Sequence, residues 1–212
     1  MAEQPLEDVY AKAKETWIET YTGTRFNLLE PEFHIQDIAH ALSQTIRFGG
    51  HGKVFTSVAE HAVLVSQLME RYRLGDPFEG LHHDDTEAYL SDVPSPIKQL
   101  LPDWKAMDRS LEIKSREFWG IPEDKSPGCT EADSIALFME ADEVMPGSGR
   151  EYLDPNNNRI KARHIRYRVR HPSLQIFGWS PAEAKKRYFN RHRELLRRRS
   201  EWEELQLAAQ AE

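Results

Sequence analysis

Apolar residues recur at three- and four-residue spacing along most of the chain, in segments separated by short breaks rich in Gly, Pro and Asp. This periodicity is typical of amphipathic helices that bury one face. It predicts helices over about residues 7–20, 35–45, 78–90 and 101–119. We therefore expect a mainly α-helical bundle.

Three further helices are predicted from their first residues. Ser57-Val58-Ala59-Glu60 and Ser180-Pro181-Ala182-Glu183 both have the capping-box form, in which the Ser and Glu side chains satisfy exposed backbone N–H groups. Proline at the first helical position supports the second of these starts. That pattern predicts a long basic helix running past Arg199, and Thr130-Glu131-Ala132-Asp133 opens another helix before it.

Only one region has the alternation of a β-strand. Residues 164–170 alternate basic and apolar side chains, and residues 174–179 follow across Pro172-Ser173. This predicts a small C-terminal β-hairpin. We accordingly divide the chain into a core, residues 1–150, and a C-terminal extension of hairpin and basic helix, residues 151–212.

Composition indicates the compartment and the type of metal site. The single cysteine, Cys129, cannot form an internal disulfide, and no segment has the roughly 18 to 20 apolar residues of a membrane span. The N-terminus lacks the basic and apolar regions of a secretion signal. We expect a soluble, cytoplasmic protein that does not bind membranes, in which any transition-metal site uses His and carboxylate ligands.

The net charge of -7 conceals a basic segment. Residues 150–199 contain 15 Lys and Arg against 4 Asp and Glu. Such a segment is either a solvated helix face or a surface for an anionic partner. A nucleic-acid-binding module therefore stays open as an alternative, although the aromatics Tyr167, Tyr188 and Phe189 are too scattered for a stacking platform.

Four residues form a candidate ligand set for a divalent metal. His61 lies three residues after Val58 and four before Val65, which predicts that it points inward with the apolar face of its helix. The adjacent pair His83-Asp84 and a lone Asp133 follow. Mixed imidazole and carboxylate ligation suits one divalent transition metal such as Zn, Co or Mn. Taken singly, each residue has a simpler interpretation as a core histidine, an exposed acid or a helix-start acid.

The segments around these four residues favour the metal-ligand interpretation over the simpler ones. The segments His82-His83-Asp84-Asp85-Thr86-Glu87 and Asp92-Val93-Pro94-Ser95-Pro96-Ile97-Lys98, with Ala59-Glu60-His61 before and Glu131-Ala132-Asp133 after, resemble the HD-domain 5'-deoxynucleotidases and related phage deoxynucleotide phosphohydrolases. The resemblance covers roughly residues 35–144. It implies an HD-domain helical bundle whose metal ligands are His61, His83, Asp84 and Asp133.

The resemblance also implies catalytic acids at Glu87 and Asp92. Helical spacing supports Glu87 independently, because it lies four residues after His83 and three after Asp84 and so shares their face. We expect Glu87 to orient or deprotonate water. For Asp92 the alternative is a cap or turn residue before Val93-Pro94.

Phosphoryl transfer depends on cations that neutralise the phosphate oxygens. Arg47 precedes the loop Phe48-Gly49-Gly50-His51-Gly52, and the resemblance implies that it grips the phosphate by a bidentate contact. Lys98 is a second candidate, whereas we expect structural roles for His51 and His82. Phe48 replaces the tryptophan that follows this arginine in the nucleotidases, which leaves selectivity between deoxyribose and ribose open.

The leading hypothesis is an enzyme that removes phosphate from a small deoxynucleotide, a monophosphate and also a di- or triphosphate, with adenine as a candidate base. The rival enzyme is a triphosphohydrolase, which uses the same metal but releases triphosphate. A polyphosphate substrate would bring an additional Mg or Co ion. We expect a homo-oligomer that binds a nucleotide and no nucleic acid.

Overall fold

The computed structural model describes residues 15–147 and 177–210, with side chains up to residue 201. Helices dominate this part of the chain, which confirms the prediction of a mainly α-helical fold. They are α1 (Ile35–Gln44), α2 (Val58–Tyr72), α3 (Pro77–His82), α4 (Glu87–Leu90), α5 (Ser95–Lys98), α6 (Pro102–Phe118), α7 (Pro127–Val144) and α8 (Pro181–Gln210).

The described β-structure is a short hairpin near the N-terminus. Strand β1 (Ile18–Glu19) pairs antiparallel with β2 (Arg25–Phe26). The predicted helix over residues 7–20 is therefore wrong at its end, and most of it lies outside the described residues. The Asp37 carboxylate fixes the hairpin on α1 by accepting from Thr20 Oγ1 at 2.8 Å and Thr22 N at 2.7 Å. Local periodicity does not reveal such a long-range bond.

The predicted C-terminal hairpin lies outside the described residues, except for residues 177–179, which do not form a strand. The long basic helix that follows is confirmed. It starts at Pro181, and Ser180 Oγ accepts from Glu183 N at 3.3 Å. Ala184, Tyr188 and Leu195 of α8 are buried in the same apolar cluster as α1 and α2.

Helix α2 is the centre of the fold. It packs against α1, α3, α7 and α8, and 11 of its 15 residues are buried. Its start is as predicted, because Ser57 Oγ accepts from Glu60 N at 3.2 Å. The Glu60 carboxylate does not complete the capping box and instead accepts from the backbone N–H groups of Gly178 and Trp179, both at 3.3 Å.

The predicted continuous helix over residues 78–90 is wrong. Helix α3 ends at His82, residues 83–86 form a turn, and α4 begins at Glu87. His83 Nδ1 lies 2.9 Å from the Gly80 carbonyl oxygen, an oxygen that would accept from a backbone N–H group if the helix continued. The next bonds close the turn at three-residue spacing, from Glu87 N to Asp84 O at 3.0 Å and from Ala88 N to Asp85 O at 3.1 Å. The candidate ligands His83 and Asp84 therefore lie at a helix break.

Helix α7 also differs from the prediction at its start. It begins at Pro127 and not at Thr130, because Ser126 Oγ caps it by accepting from Cys129 N at 3.1 Å. Asp133 thus lies in the second turn of the helix. This position weakens its interpretation as an acid at the helix start.

Candidate metal centre

The imidazole rings of His61 and His83 converge in the interior between α2 and the turn after α3. Their centroids are 5.3 Å apart and both side chains have no exposed surface. Each ring is fixed at Nδ1, since His61 Nδ1 lies 3.0 Å from Glu140 Oε1 and His83 Nδ1 lies 2.9 Å from the Gly80 carbonyl oxygen. In each ring, Nδ1 is held by its anchor, and Nε2 consequently points away from that anchor into the space between the two histidines.

Two carboxylates complete the cluster. Asp84 Oδ2 lies 3.0 Å from His83 Nε2 and 3.7 Å from His61 Nε2. Asp133 Oδ1 lies 3.2 Å from His61 Nε2 and 3.9 Å from His83 Nε2. The structure therefore brings together all four residues that the sequence analysis assigned as ligands.

This arrangement fits a metal ion. One ligand atom each of His61, His83 and Asp133 lies within 4.8 Å of the others, and the Asp84 carboxylate adjoins them. The two Nε2 atoms are buried without a well-aligned hydrogen-bond partner among the described residues, which is costly for polar atoms unless something binds them. An imidazole anchored through its other nitrogen is the usual form of a histidine metal ligand. The geometry leaves the identity of the metal open.

The electrostatics of the cluster favour a cation. Burial opposes ionisation of the Asp84 carboxyl, but His83 and Lys125 outweigh it and hold its pKa well below the usual value. For His61, burial and Arg47 act to lower the pKa, but Glu140 and Asp133 outweigh them and raise it to about 9. The surrounding carboxylates thus stabilise positive charge at the ring.

Glu140, which the sequence analysis missed, connects the cluster to Arg47. Its carboxylate is fully buried, with Oε1 at His61 and Oε2 accepting from Arg47 Nε at 3.1 Å and contacting a terminal guanidinium nitrogen at 3.0 Å. Arg47 is only 8% exposed. A bidentate phosphate contact by Arg47 therefore requires its other guanidinium edge or the release of Glu140. Glu140 lies seven residues after Asp133, two helical turns along one face, a spacing that is visible in the sequence.

The predicted acids lie beside this cluster. Glu87 is 6% exposed; its Oε1 accepts from Lys98 Nζ at 3.0 Å, whereas its Oε2 is buried without a partner among the described residues. Burial raises the pKa of Glu87 to about 8, assisted by the charges of Asp84 and Asp92. Burial also raises the pKa of Asp92, against the opposing charge of Arg47. The predicted residues Glu87, Asp92 and Lys98 therefore form one interacting group.

Phe48 is held in an uncommon backbone conformation. Its φ of 56° and that of Gly49, 59°, are in the left-handed region, which a bulky side chain rarely occupies. Phe48 packs against the apolar cluster of Ala141, Val144 and Met145, and the Arg47 guanidinium carbon lies 5.5 Å from the centroid of its ring. The described side-chain contacts of Phe48 thus include Arg47 and the end of α7.

Lys125 is a second residue that the sequence analysis did not find. Its Nζ donates to Asp133 Oδ2 at 3.1 Å and lies 3.8 Å from Asp84 Oδ1. It comes from the loop between α6 and α7, where no periodic pattern links it to the other site residues.

His82 has a role distinct from that of its neighbour His83. Its Nδ1 lies 2.7 Å from Asp85 Oδ2, and Asp85 also accepts from Trp119 Nε1 at 2.7 Å and from the Tyr188 hydroxyl at 2.6 Å. His82 Nε2 lies 3.0 Å from His192 Nδ1. This buried network joins the turn that carries the ligands to α6 and α8.

Comparison with known proteins finds a similar sequence in Escherichia coli. The chain is 42% identical over 128 residues to the "Uncharacterized protein YfdR" of Escherichia coli (strain K12), and the match covers 59% of this chain and 70% of the relative. No protein-family model matches the chain.

Proposed function

We propose that this chain, which belongs to the same family as YfdR of Escherichia coli, is a metal-dependent phosphohydrolase that removes phosphate from deoxynucleotides. The relative's name gives no activity, so the proposal depends on the site. The observation that carries it is the convergence of two buried, Nδ1-anchored histidines with two carboxylates. Acids and cations adjoin this cluster, and phosphoryl transfer also needs such groups to position the reactants and to neutralise the charge on the phosphate oxygens.

The ligands would be His61, His83, Asp84 and Asp133, with Zn, Co or Mn as candidate ions. A bound divalent ion supplies Lewis acidity, which polarises phosphoryl oxygens and favours the ionisation of water. Imidazole and carboxylate donors are compatible with each of these metals, so the choice among them is left to experiment.

The chain's own residues divide the remaining tasks. Glu87 Oε2 has no partner among the described residues, and the ionised form of Glu87, which its pKa of about 8 makes the minor form at neutral pH, is the candidate acceptor for a proton from the attacking water. Lys98 holds the other oxygen of that carboxylate and thereby fixes its orientation. Arg47 stabilises the negative charge of Asp92 and Glu140 around the cluster and is a candidate phosphate contact through its remaining edge.

The test is an assay of the protein loaded with Zn, Co or Mn against deoxynucleoside and ribonucleoside mono-, di- and triphosphates. Nucleoside, phosphate, pyrophosphate and triphosphate products are separated by chromatography. The proposal expects inorganic phosphate and a nucleoside or shorter nucleotide. Triphosphate as the product would favour the rival triphosphohydrolase, and no release of any phosphate by metal-loaded protein would overturn the proposal.

Asp84→Ala is the matching negative control. Asp103→Ala, which removes an exposed acid of α6, shows the effect of the same substitution away from the site. Losing a ligand carboxylate should remove both metal and activity, while Asp103→Ala should retain both. Full metal content in folded Asp84→Ala would exclude the assigned ligand set.

A further inference from the structure

Lys125 lies beside the partly exposed carboxylates of the candidate metal centre. The His61 and His83 side chains have no exposed surface, whereas Asp84 is 20% and Asp133 31% exposed. Lys125 contacts both of these carboxylates and is itself 27% exposed. The Lys125 ammonium group therefore lies beside the two partly exposed carboxylates of the centre and is itself within reach of solvent.

The other cations near the centre are engaged elsewhere. Two guanidinium nitrogens of Arg47 contact the Glu140 carboxylate. Glu140 in turn contacts His61, so Glu140 connects Arg47 to the cluster. Lys98 donates to Glu87, and its ammonium nitrogen lies 4.9 Å from the centroid of the Trp104 ring. Among these three cations, Lys125 is the one with a described contact to the ligand carboxylates.

The loop that carries Lys125 is held on both sides of this residue by a buried ion pair. Arg116 and Glu79, 1% and 2% exposed, are joined at 2.6 Å. Arg116 also donates to the carbonyl oxygen of Asp124 at 3.1 Å and to that of Pro122, while Glu79 accepts from Ser126 N at 2.8 Å. The residues immediately before and after Lys125 are thus fixed to the interior, which differs from the usual surface lysine.

We propose that Lys125 binds the phosphate of the substrate beside the partly exposed carboxylates of the centre. This inference rests on the proposed phosphohydrolase function and names a further substrate contact for it. Asp133 directs Oδ1 toward the histidines and Oδ2 toward Lys125, so the ammonium group is held one carboxylate away from the ligand atoms. Three donors on a flexible stem suit a tetrahedral anion there.

The test uses inorganic phosphate as a probe, so that turnover is not needed. Phosphate is titrated calorimetrically into metal-loaded wild-type protein, Lys125→Met, Lys125→Arg and the control Lys105→Met, an exposed lysine of α6. Metal content is measured on each preparation. We expect Lys125→Met to retain metal and bind phosphate at least about tenfold more weakly, the scale of a lost charge-assisted hydrogen bond, with partial recovery in Lys125→Arg.

The remaining outcomes separate this inference from the proposed function. Equal phosphate affinity of Lys125→Met and wild type would overturn the role of Lys125 and leave the phosphohydrolase proposal standing. Loss of metal from Lys125→Met would also overturn it, because the lysine would then act only by positioning Asp133. Wild-type protein that holds metal but neither binds phosphate nor releases it from nucleotides would overturn both.

Discussion

At the scale of single residues, the candidate site consists of four possible metal ligands and the groups that contact them. The four candidate ligands were predicted from the sequence because the segments around them resemble a known family, whereas each residue taken singly has a simpler interpretation. Glu140 and Lys125 could not be assigned in the same way, since their significance depends on the contacts they make with His61 and Asp133. Two substitutions examine whether the orienting groups have the roles that their contacts indicate.

Glu87→Gln tests the proton acceptor. The amide keeps the volume of the side chain and can still contact Lys98, but it does not accept a proton at neutral pH, so we expect turnover to fall by about 100- to 10,000-fold with metal content unchanged. Turnover, metal content and melting temperature are measured together, with Glu117→Gln on the exposed face of α6 as the control. Unchanged turnover would end the catalytic assignment, and equal losses of stability and activity would indicate a structural partner of Lys98.

Glu140→Gln tests the orientation of His61. The neutral amide no longer balances the buried charge of Arg47 and holds the imidazole less strongly, so metal affinity should fall by about 10- to 100-fold, the usual effect of changing a group behind a ligand. Stability should also fall, by about 2 kcal/mol. Competitive chelator titration measures the affinity, and Glu117→Gln, exposed on α6, is the control. Wild-type metal affinity in folded Glu140→Gln would contradict the orienting role.

At the scale of elements, the sequence predicted the helices with an exposed face better than the region around the site. Helices α1 and α6 closely match their predicted bounds because their apolar and polar faces are separated. The segment 78–90 was predicted as one helix because its periodicity is continuous, whereas the chain forms a turn at residues 83–86, where His83 Nδ1 lies 2.9 Å from the Gly80 carbonyl oxygen. Such a contact between a side chain and a backbone carbonyl leaves no mark on hydrophobic spacing.

The close crossing of α2 and α3 sets the separation of His61 and His83, and Gly80 lies at this crossing. A Cβ at residue 80 would be 2.6 Å from Met69 Sδ and 3.1 Å from Ser66 Cα. Ala normally stabilises a helix by about 1 kcal/mol relative to Gly, but here overpacking should reverse the sign and destabilise the protein by about 1 to 3 kcal/mol. Because Gly80 also anchors His83, Gly80→Ala should weaken metal binding as well.

Denaturant unfolding and metal titration of Gly80→Ala measure both effects. Gly147→Ala is the control, since no described atom lies within 4 Å of a Cβ at that position. A stabilised Gly80→Ala with normal metal affinity would show that the crossing does not determine the ligand geometry.

At the scale of the whole molecule, α8 packs in the same apolar cluster as α2, which carries His61 of the candidate site. Its Arg187, Arg191 and Arg198 form ion pairs with Glu183, Glu194 and Glu70. These three are among the eight Lys and Arg in residues 177–199, and the other seven of the basic segment lie outside the described residues. No helix in residues 15–147 or 177–210 is long and apolar enough to cross a bilayer. Tyr188 and His192 connect α8 to Asp85 and His82, next to the candidate ligands.

This connection makes the stability of the protein depend on pH. Burial, and then the neighbouring His82, lower the pKa of His192 from 6.5 to about 4, with Asp85 opposing them. Between these values the unfolded chain binds more protons than the folded chain, so the contribution of neutral His192 is present above pH 6.5 and is lost as the pH falls toward 4. In His192→Gln this contribution is absent. We therefore expect wild type to lose roughly 1 kcal/mol more stability than His192→Gln between about pH 7.5 and about pH 5, after solvent screening is taken into account. Denaturant unfolding of both proteins at several pH values measures the difference.

Parallel stability curves for the two proteins would mean that His192 is not the neutral partner of His82 in the folded state. Stability curves that converge toward acid pH would identify the contact between α8 and the turn that carries the candidate ligands as an acid-sensitive point of the fold.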